Sequence, residues 1–321
     1  MNLTELKPCV LERRILPKVW GGRALESVLD LRLPPGEAIG ETWELFDRPD
    51  GSSRLRGSEV TLRELMEFDS AGLLGRGVRP APGGYFPLLL KYIDAADRLS
   101  VQVHPDDLRA REEGDSGKTE AWVVLHAGPD ARIVCGLREG VSAEQLAAVA
   151  HTADVEQLLA SHRPAVGDTF FVPAGTVHAI GPDVVVFEVQ QNSDITYRLY
   201  DWGRPRETHL EKALEATRVG PPEPGGRAQI DADTEWLFRN PHFTTRRVVV
   251  RNPASLGTEG TFKTLSVVGG RGTLGWHSGG AEPPLLLQLG DTVLVPASTG
   301  VVFLSPIGAM TVLVCGPGVT R

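Results

Sequence analysis

Four side chains in the first 180 residues carry donor atoms suited to a metal ion. In the run Leu99-Ser100-Val101-Gln102-Val103-His104 an extended backbone puts Gln102 and His104 on one face and Val101 and Val103 on the other. Pro105 then ends the strand. Glu120 opens the next apolar run, Ala121–His126, and His178 follows the turn Pro173-Ala174-Gly175-Thr176. Taken singly these are bland: a polar pair on a strand usually faces solvent, and a histidine after a turn usually bonds backbone. Taken together they offer an amide oxygen, two imidazole nitrogens and a carboxylate oxygen. That borderline-soft set suits Zn²⁺, with other divalent first-row ions possible. Protein ligands that leave room for water or substrate are the catalytic pattern. Spacing alone does not assemble the four, so three separate strands must converge.

The turn that carries His178 is written twice. Val166–His178 reads VGDTFFVPAGTVH, and Leu289–Val301 reads LGDTVLVPASTGV. The constant offset sets Val301 where the first copy has His178. One turn built twice, with a metal-capable side chain in one copy, implies two related β-domains and one active site.

Short runs rich in Val, Ile and Leu dominate the chain and predict an all-β fold of antiparallel strands. They include Phe86–Ile93, Leu99–His104, Ala121–His126, Arg132–Leu137, Thr169–Val172, Val184–Gln191 and Thr196–Tyr200. Six more lie between Thr244 and Val314. Three capping boxes predict helical inserts: Thr61 with Glu64, Ser142 with Gln145, and Thr208 with Glu211. The expected helices run to about Leu74, over Ala143–Ala160, and over Leu210–Ala216. The Pro- and Gly-rich stretch Val219–Arg227 reads as a linker. The expected division is residues 1–218, a linker at 219–231, and residues 232–321. The charged segment Asp106–Asp115 has the composition of a mobile flap.

The 321 residues suffice for two domains, and the net charge of −8 argues against nucleic-acid or anionic-membrane partners. Cys9, Cys135 and Cys315 form neither a disulfide framework nor a thiolate zinc knuckle. The first residues mix acids and bases without an apolar core, so no secretory leader is expected and a cytoplasmic location is.

Longer stretches resemble one family. Gly167, Pro173, Gly175 and His178 follow the second cupin motif, although Pro182 stands where that motif ends in Asn. Gln102-Val103-His104, a 15-residue gap and Glu120 are an expanded first motif with Gln in place of one His. KVWGG (Lys18–Gly22), IGETWEL (Ile39–Leu45), FPLLLKYIDAADRLSVQVHPDD (Phe86–Asp107), GKTEAW (Gly117–Trp122), PAGTVHAIG (Pro173–Gly181) and FEVQQNSDITYRLYDWGR (Phe187–Arg204) are similar to the type I mannose-6-phosphate isomerases, in their short bacterial form. The resemblance implies two cupin-type jelly-roll or β-barrel domains, the second degenerate and without metal. It implies a metal-dependent aldose–ketose isomerase, converting mannose 6-phosphate to fructose 6-phosphate and back through an enediol. It further implies one Zn²⁺ per chain on Gln102, His104, Glu120 and His178, with Arg198 catalytic. Lys118 and Glu188 take substrate-binding or proton-transfer positions, and Lys118, Arg198 and Arg204 are phosphate candidates.

Two rivals fit less well. A cupin oxygenase would want iron and more histidines than the Gln102 motif supplies. A non-catalytic sugar-binding protein would not need the intact donor set with Arg198. His126, His151, His162, His209 and His242 complete no second cluster and read as surface or hydrogen-bonded histidines. Gly269–Gly272 and Gly279–Gly280 read as turns, since no helix pattern follows.

Overall fold

The computed structural model describes residues 5–223, 225–277 and 282–319. Gly279–Gly280 therefore lies outside the described residues. Every strand pair among them is antiparallel, and helices are short. The all-β fold class predicted from the strand runs is the one observed.

Two large sheets build the amino-terminal half, beside a two-stranded ribbon of Asp47–Arg48 and Gly51–Ser52. The six-stranded sheet runs Thr169–Val172, Glu120–Ala127, Val184–Gln191, Leu88–Ala95, Arg14–Gly22, Ile39–Leu45, with the last strand also paired to Leu88–Ala95. The five-stranded sheet runs Leu159–His162, Ile133–Leu137, His178–Ile180, Val101–Val103, Tyr197–Tyr200. Val184–Gln191 reads VVVFEVQQ and is buried at every residue, as a strand with neighbours on both edges and layers on both faces must be. One apolar layer joins Trp122, Val172, Val186, Cys135 and Ile180, so the two sheets share a core.

The carboxy-terminal half holds a seven-stranded and a four-stranded sheet. The written repeat is a structural one: strand Thr169–Val172 and strand His178–Ile180 flank the first turn, and Thr292–Val295 and Val301–Pro306 flank the second. The halves are not separate in packing. Cys9–Val10 pairs with Val293 and Leu294 in the seven-stranded sheet, and the Phe86 and Phe262 rings lie 4.6 Å apart within one cluster that spans both halves. Of the stretch 219–231, residues 219–227 carry no strand or helix among those described (Pro224 is outside). Ala228–Gln229 is an edge strand paired with Glu235 and Trp236.

The helices correct the sequence reading in part. The Thr61–Glu64 box is formed and opens Leu62–Leu74. The Ser142–Gln145 box is formed too, but its helix stops at Val149. Thr152 then accepts from the Asp154 amide and starts a 3₁₀ segment, Ala153–Leu158, which leads into strand Leu159–His162. The Thr208–Glu211 box is absent: helix Leu210–Ala216 has His209 at its N-cap and no side-chain cap. Within Asp106–Asp115, expected as a flap, Asp107–Ala110 is helical and Arg111–Glu113 is a 3₁₀ turn, and the segment is tied to its surroundings. Asp115 pairs with Arg48 at 2.9 Å, Gln191 donates to Asp107 at 2.9 Å, and Lys212 pairs with Glu113 at 2.9 Å.

Candidate metal centre

Strand register explains how distant residues meet. On the five-stranded sheet Gln102 is in register with His178 on one side and with Arg198 on the other. Glu120 belongs to the other sheet, where it pairs with Val172 and Gln190. The turn after Val172 crosses from sheet to sheet. It leaves opposite Glu120 and arrives, at His178, opposite Gln102. Gly175 makes the crossing: its φ is +89°, and a Cβ there would stand 2.7 Å from Arg218 Cγ and 2.9 Å from the Ala216 carbonyl. Its amide donates to the His104 carbonyl at 2.9 Å, pinning the turn to the third ligand position.

The side chains of His104, Glu120 and His178 converge. His178 Nε2 lies 3.2 Å from Glu120 Oε1, and His104 Nε2 lies 3.5 Å from Glu120 Oε2. One donor atom from each of these three falls within 4.8 Å of the others, and all three residues are buried. Gln102 completes the group, its amide 3.2 Å from His178 Nε2. Turning that amide over presents Oε1 at the same place. His178 Nδ1 donates to the Thr176 carbonyl at 2.8 Å, which leaves the Nε2 lone pair facing the cluster.

The chemistry of this donor set fits a divalent cation. Both Glu120 oxygens are buried without a hydrogen bond, although the Lys118 ammonium stands 3.4 Å from Oε2. A buried carboxylate so poorly solvated is costly unless a cation compensates it. Burial, and then the charge of Lys118, push His104 down to about 3, so its imidazole is neutral and able to ligate. Burial also lowers His178. Burial works to raise Glu120, but the neighbouring Lys118 charge foremost opposes it, and the carboxyl lies well below its ordinary range. Neutral imidazoles beside an ionised carboxylate are the protonation states that metal binding requires.

A cleft of about 250 Å³ opens beside Gln102 and Lys118. Arg198 and Glu188 both line it, so the structure brings all seven predicted site residues to one place. Arg198 Nη1 donates to the Glu207 carbonyl at 2.6 Å, and its buried Nε has no partner. Glu188 accepts from Trp122 Nε1 at 2.8 Å, and its carboxyl is raised, chiefly by burial. Sequence reasoning missed Lys18, Glu41, Lys91 and Arg206, which also line the cleft. Lys91 carried a signal, because it is the one charge within the apolar run Leu88–Ile93. Arg204 does not line the cleft: it bonds Asp201 at 3.0 Å and the Arg98 carbonyl at 2.6 Å. A larger cavity, about 550 Å³ near Arg76 and His242, holds none of the predicted site residues. At the second turn Val301 is 38% exposed where His178 is 1% exposed, and His277 packs its ring against Phe303 at 5.0 Å.

Known proteins similar to this chain share one description. The family described as "Phosphomannose isomerase type I, catalytic domain" matches residues 9–120. The mannose-6-phosphate isomerase of Streptococcus mutans is 34% identical over 303 residues, covering 90% of this chain and 92% of that one. The crystal structure of the mannose 6-phosphate isomerase from Bacillus subtilis superposes with a TM-score of 0.85 at 30% identity, over 97% of this chain and 99% of that one. A mannose 6-phosphate isomerase bound with zinc and yttrium shares the fold, with a TM-score of 0.78 at 18% identity over 98% and 100% of the two chains. Fold, site and relatives make this an isomerase on an all-β scaffold. Within that class, the chain belongs to the type I mannose-6-phosphate isomerase family.

Proposed function

We propose that this protein interconverts D-mannose 6-phosphate and D-fructose 6-phosphate, using one Zn²⁺ held by Gln102, His104, Glu120 and His178. The observation that carries the reading is Glu120: an ionised, buried carboxylate without hydrogen bonds, between two neutral imidazoles, and next to Gln102 and Lys118, which line a cleft with further Lys and Arg side chains. The relative bound with zinc supports the choice of metal. When bound, the ion supplies Lewis acidity for a reaction whose barrier is the removal of a proton beside a carbonyl.

The chain's own residues do the rest. Moving a proton between C1 and C2 through an enediol needs a fixed acid and base. Lys118 and Glu188 are the candidates, one 3.2 Å from His104 Nε2 and the other held by Trp122 and Lys91. Arg198 stays cationic and holds phosphate or the charge that develops at the sugar oxygens. The substrate is small and anionic, with neither nucleic acid nor membrane as partner. No helix among the described residues is long and apolar enough to cross a membrane. In this reading residues 1–218 form a cupin-type catalytic domain, 219–231 join it to the rest, and 232–321 form a degenerate cupin-like domain without metal, in a cytoplasmic enzyme.

The test is a coupled assay of mannose 6-phosphate conversion before chelation, after it, and after return of Zn²⁺. Activity lost with chelation and recovered with Zn²⁺ supports the reading. Tight binding of mannose 6-phosphate without turnover in the zinc-restored protein would sink it.

A further inference from the structure

Arg198 lies on Tyr197–Tyr200, the edge strand of the five-stranded sheet. An edge strand leaves backbone donors and acceptors without a neighbouring strand. At Arg198 one residue takes both. The Arg198 amide donates to His209 Nδ1 at 3.2 Å, and the His209 amide donates to the Arg198 carbonyl at 2.8 Å. The same excursion of chain also grips the guanidinium, through the Glu207 carbonyl.

His209 is set to do this by what it does not do. It is the N-cap of Leu210–Ala216, a position whose side chain normally bonds the first turn of its own helix. Here no such bond is made, and the ring is turned to Arg198 instead. The helix behind it is anchored, because Ala213 and Ala216 are buried in one cluster with Val101, Val103, Tyr197 and Leu199. The imidazole is thus a strut between a docked helix and the strand position opposite Gln102. Accepting at Nδ1 requires that nitrogen to carry no proton, so the neutral ring bears its hydrogen on Nε2.

We propose that His209 is a positioning residue for Arg198: its ring fixes the backbone from which the guanidinium reaches the cleft. The proposal rests on the role given to Arg198 above. The Arg198 side chain is long, its Nε has no partner, and Nη1 is held only by Glu207 of the segment that carries His209, so its aim depends on how that segment and the strand are held together.

The test is steady-state turnover of mannose 6-phosphate by the full-length, zinc-loaded protein. His209→Ala, Arg198→Ala and the double variant are compared, with bound zinc and melting temperature measured for each. His209→Ala is expected to lower kcat/KM by about tenfold or more, as small misplacements of a reacting group do. The fall should lie mainly in kcat, with zinc at full stoichiometry. The double variant should be no worse than Arg198→Ala, because an absent side chain cannot be misaimed. His209→Asn puts an acceptor near the place of Nδ1 and should keep most activity, whereas His209→Gln should not. The Asn and Gln pair also decides the matter if the alanine variant fails to fold. Losses that multiply in the double variant, or equal activity in the Asn and Gln variants, would overturn the role of His209. Normal turnover by His209→Ala beside a crippled Arg198→Ala would do so as well. Full activity in Arg198→Ala would instead overturn the reading of Arg198, and the proposal with it.

Discussion

Lys91 and Glu188 are cross-strand partners at the centre of the six-stranded sheet, Nζ to Oε1 3.2 Å, with side chains 5% and 3% exposed. Burial works to lower the Lys91 ammonium, but Glu188 and Glu41 outweigh it and raise it above its ordinary value. The ammonium is therefore held charged in a dry place, with Glu188 as its nearest carboxylate. Removing one end of such a pair costs about 3–5 kcal/mol, because the other is left buried and uncompensated. Lys91→Met should lower the midpoint of urea unfolding accordingly. Lys91→Met with Glu188→Gln should recover part of the loss. A single variant as stable as the parent would show that water reaches Glu188.

His178 reaches the cluster by a single turn, and its Nε2 is aimed by the bond from Nδ1 to Thr176. His178→Ala should lose zinc and activity together, read by metal analysis and by the coupled assay. Zinc retained at full stoichiometry would remove His178 from the ligand set. Glu120→Gln keeps the shape but not the charge, and should weaken zinc binding by at least the roughly 10- to 100-fold that loss of a partner behind a ligand costs.

Arg198→Ala should behave differently. The residue contacts none of the three clustered donors, so zinc content should stay intact while kcat falls, by about 10²- to 10³-fold if it stabilises developing charge. Equal loss of metal would give it a structural role.

The parts that sequence made legible were those with local causes. Thr169–Val172, Val184–Gln191 and Thr292–Val295 are strands with the predicted bounds, because apolar runs between turn residues need no distant information. The Thr61 and Ser142 caps formed because a capping box is closed within four residues. Helix ends were less legible: the helix from Ser142 yields to Thr152, whose side chain caps a new segment. Thr208 failed as a cap because the adjacent His209 took the N-cap position and spent its ring on Arg198. The strand Arg14–Gly22 was not predicted as a strand, since Arg14, Pro17 and Lys18 break its apolar pattern. The four predicted ligands meet through register between sheets, which no spacing in the sequence expresses. Their recognition came from resemblance to a family.

Gly175 offers a test of that register. Any L residue there meets both a left-handed backbone and atoms within 3 Å. Gly175→Ala should therefore displace the sheet-to-sheet turn and His178 with it. The expected result is weaker zinc retention on dialysis against a chelator, and a loss of stability of about 1–3 kcal/mol. Unchanged metal affinity would mean that the turn tolerates the shift without moving the histidine.

His242 supplies the pH dependence. It lines the larger cavity near Arg76, which includes none of His104, Glu120 and His178. Burial lowers its imidazole, against a smaller opposing pull from Asp107. The folded chain thus keeps His242 neutral at pH values where the unfolded chain, with its ordinary value near 6.5, has begun to take up a proton. The unfolded state binds more protons there, so stability rises with pH. The contribution is complete above about 6.5 and is lost as pH falls below it. His242→Gln cannot titrate and should show a shallower decline. Urea midpoints of parent and variant, taken at intervals from pH 7.5 to pH 5, should diverge in favour of the variant toward acid. Comparing the two proteins at each pH cancels the titration of every other group, since they share them all. Parallel curves would mean that the His242 ring is as accessible to protons in the fold as out of it.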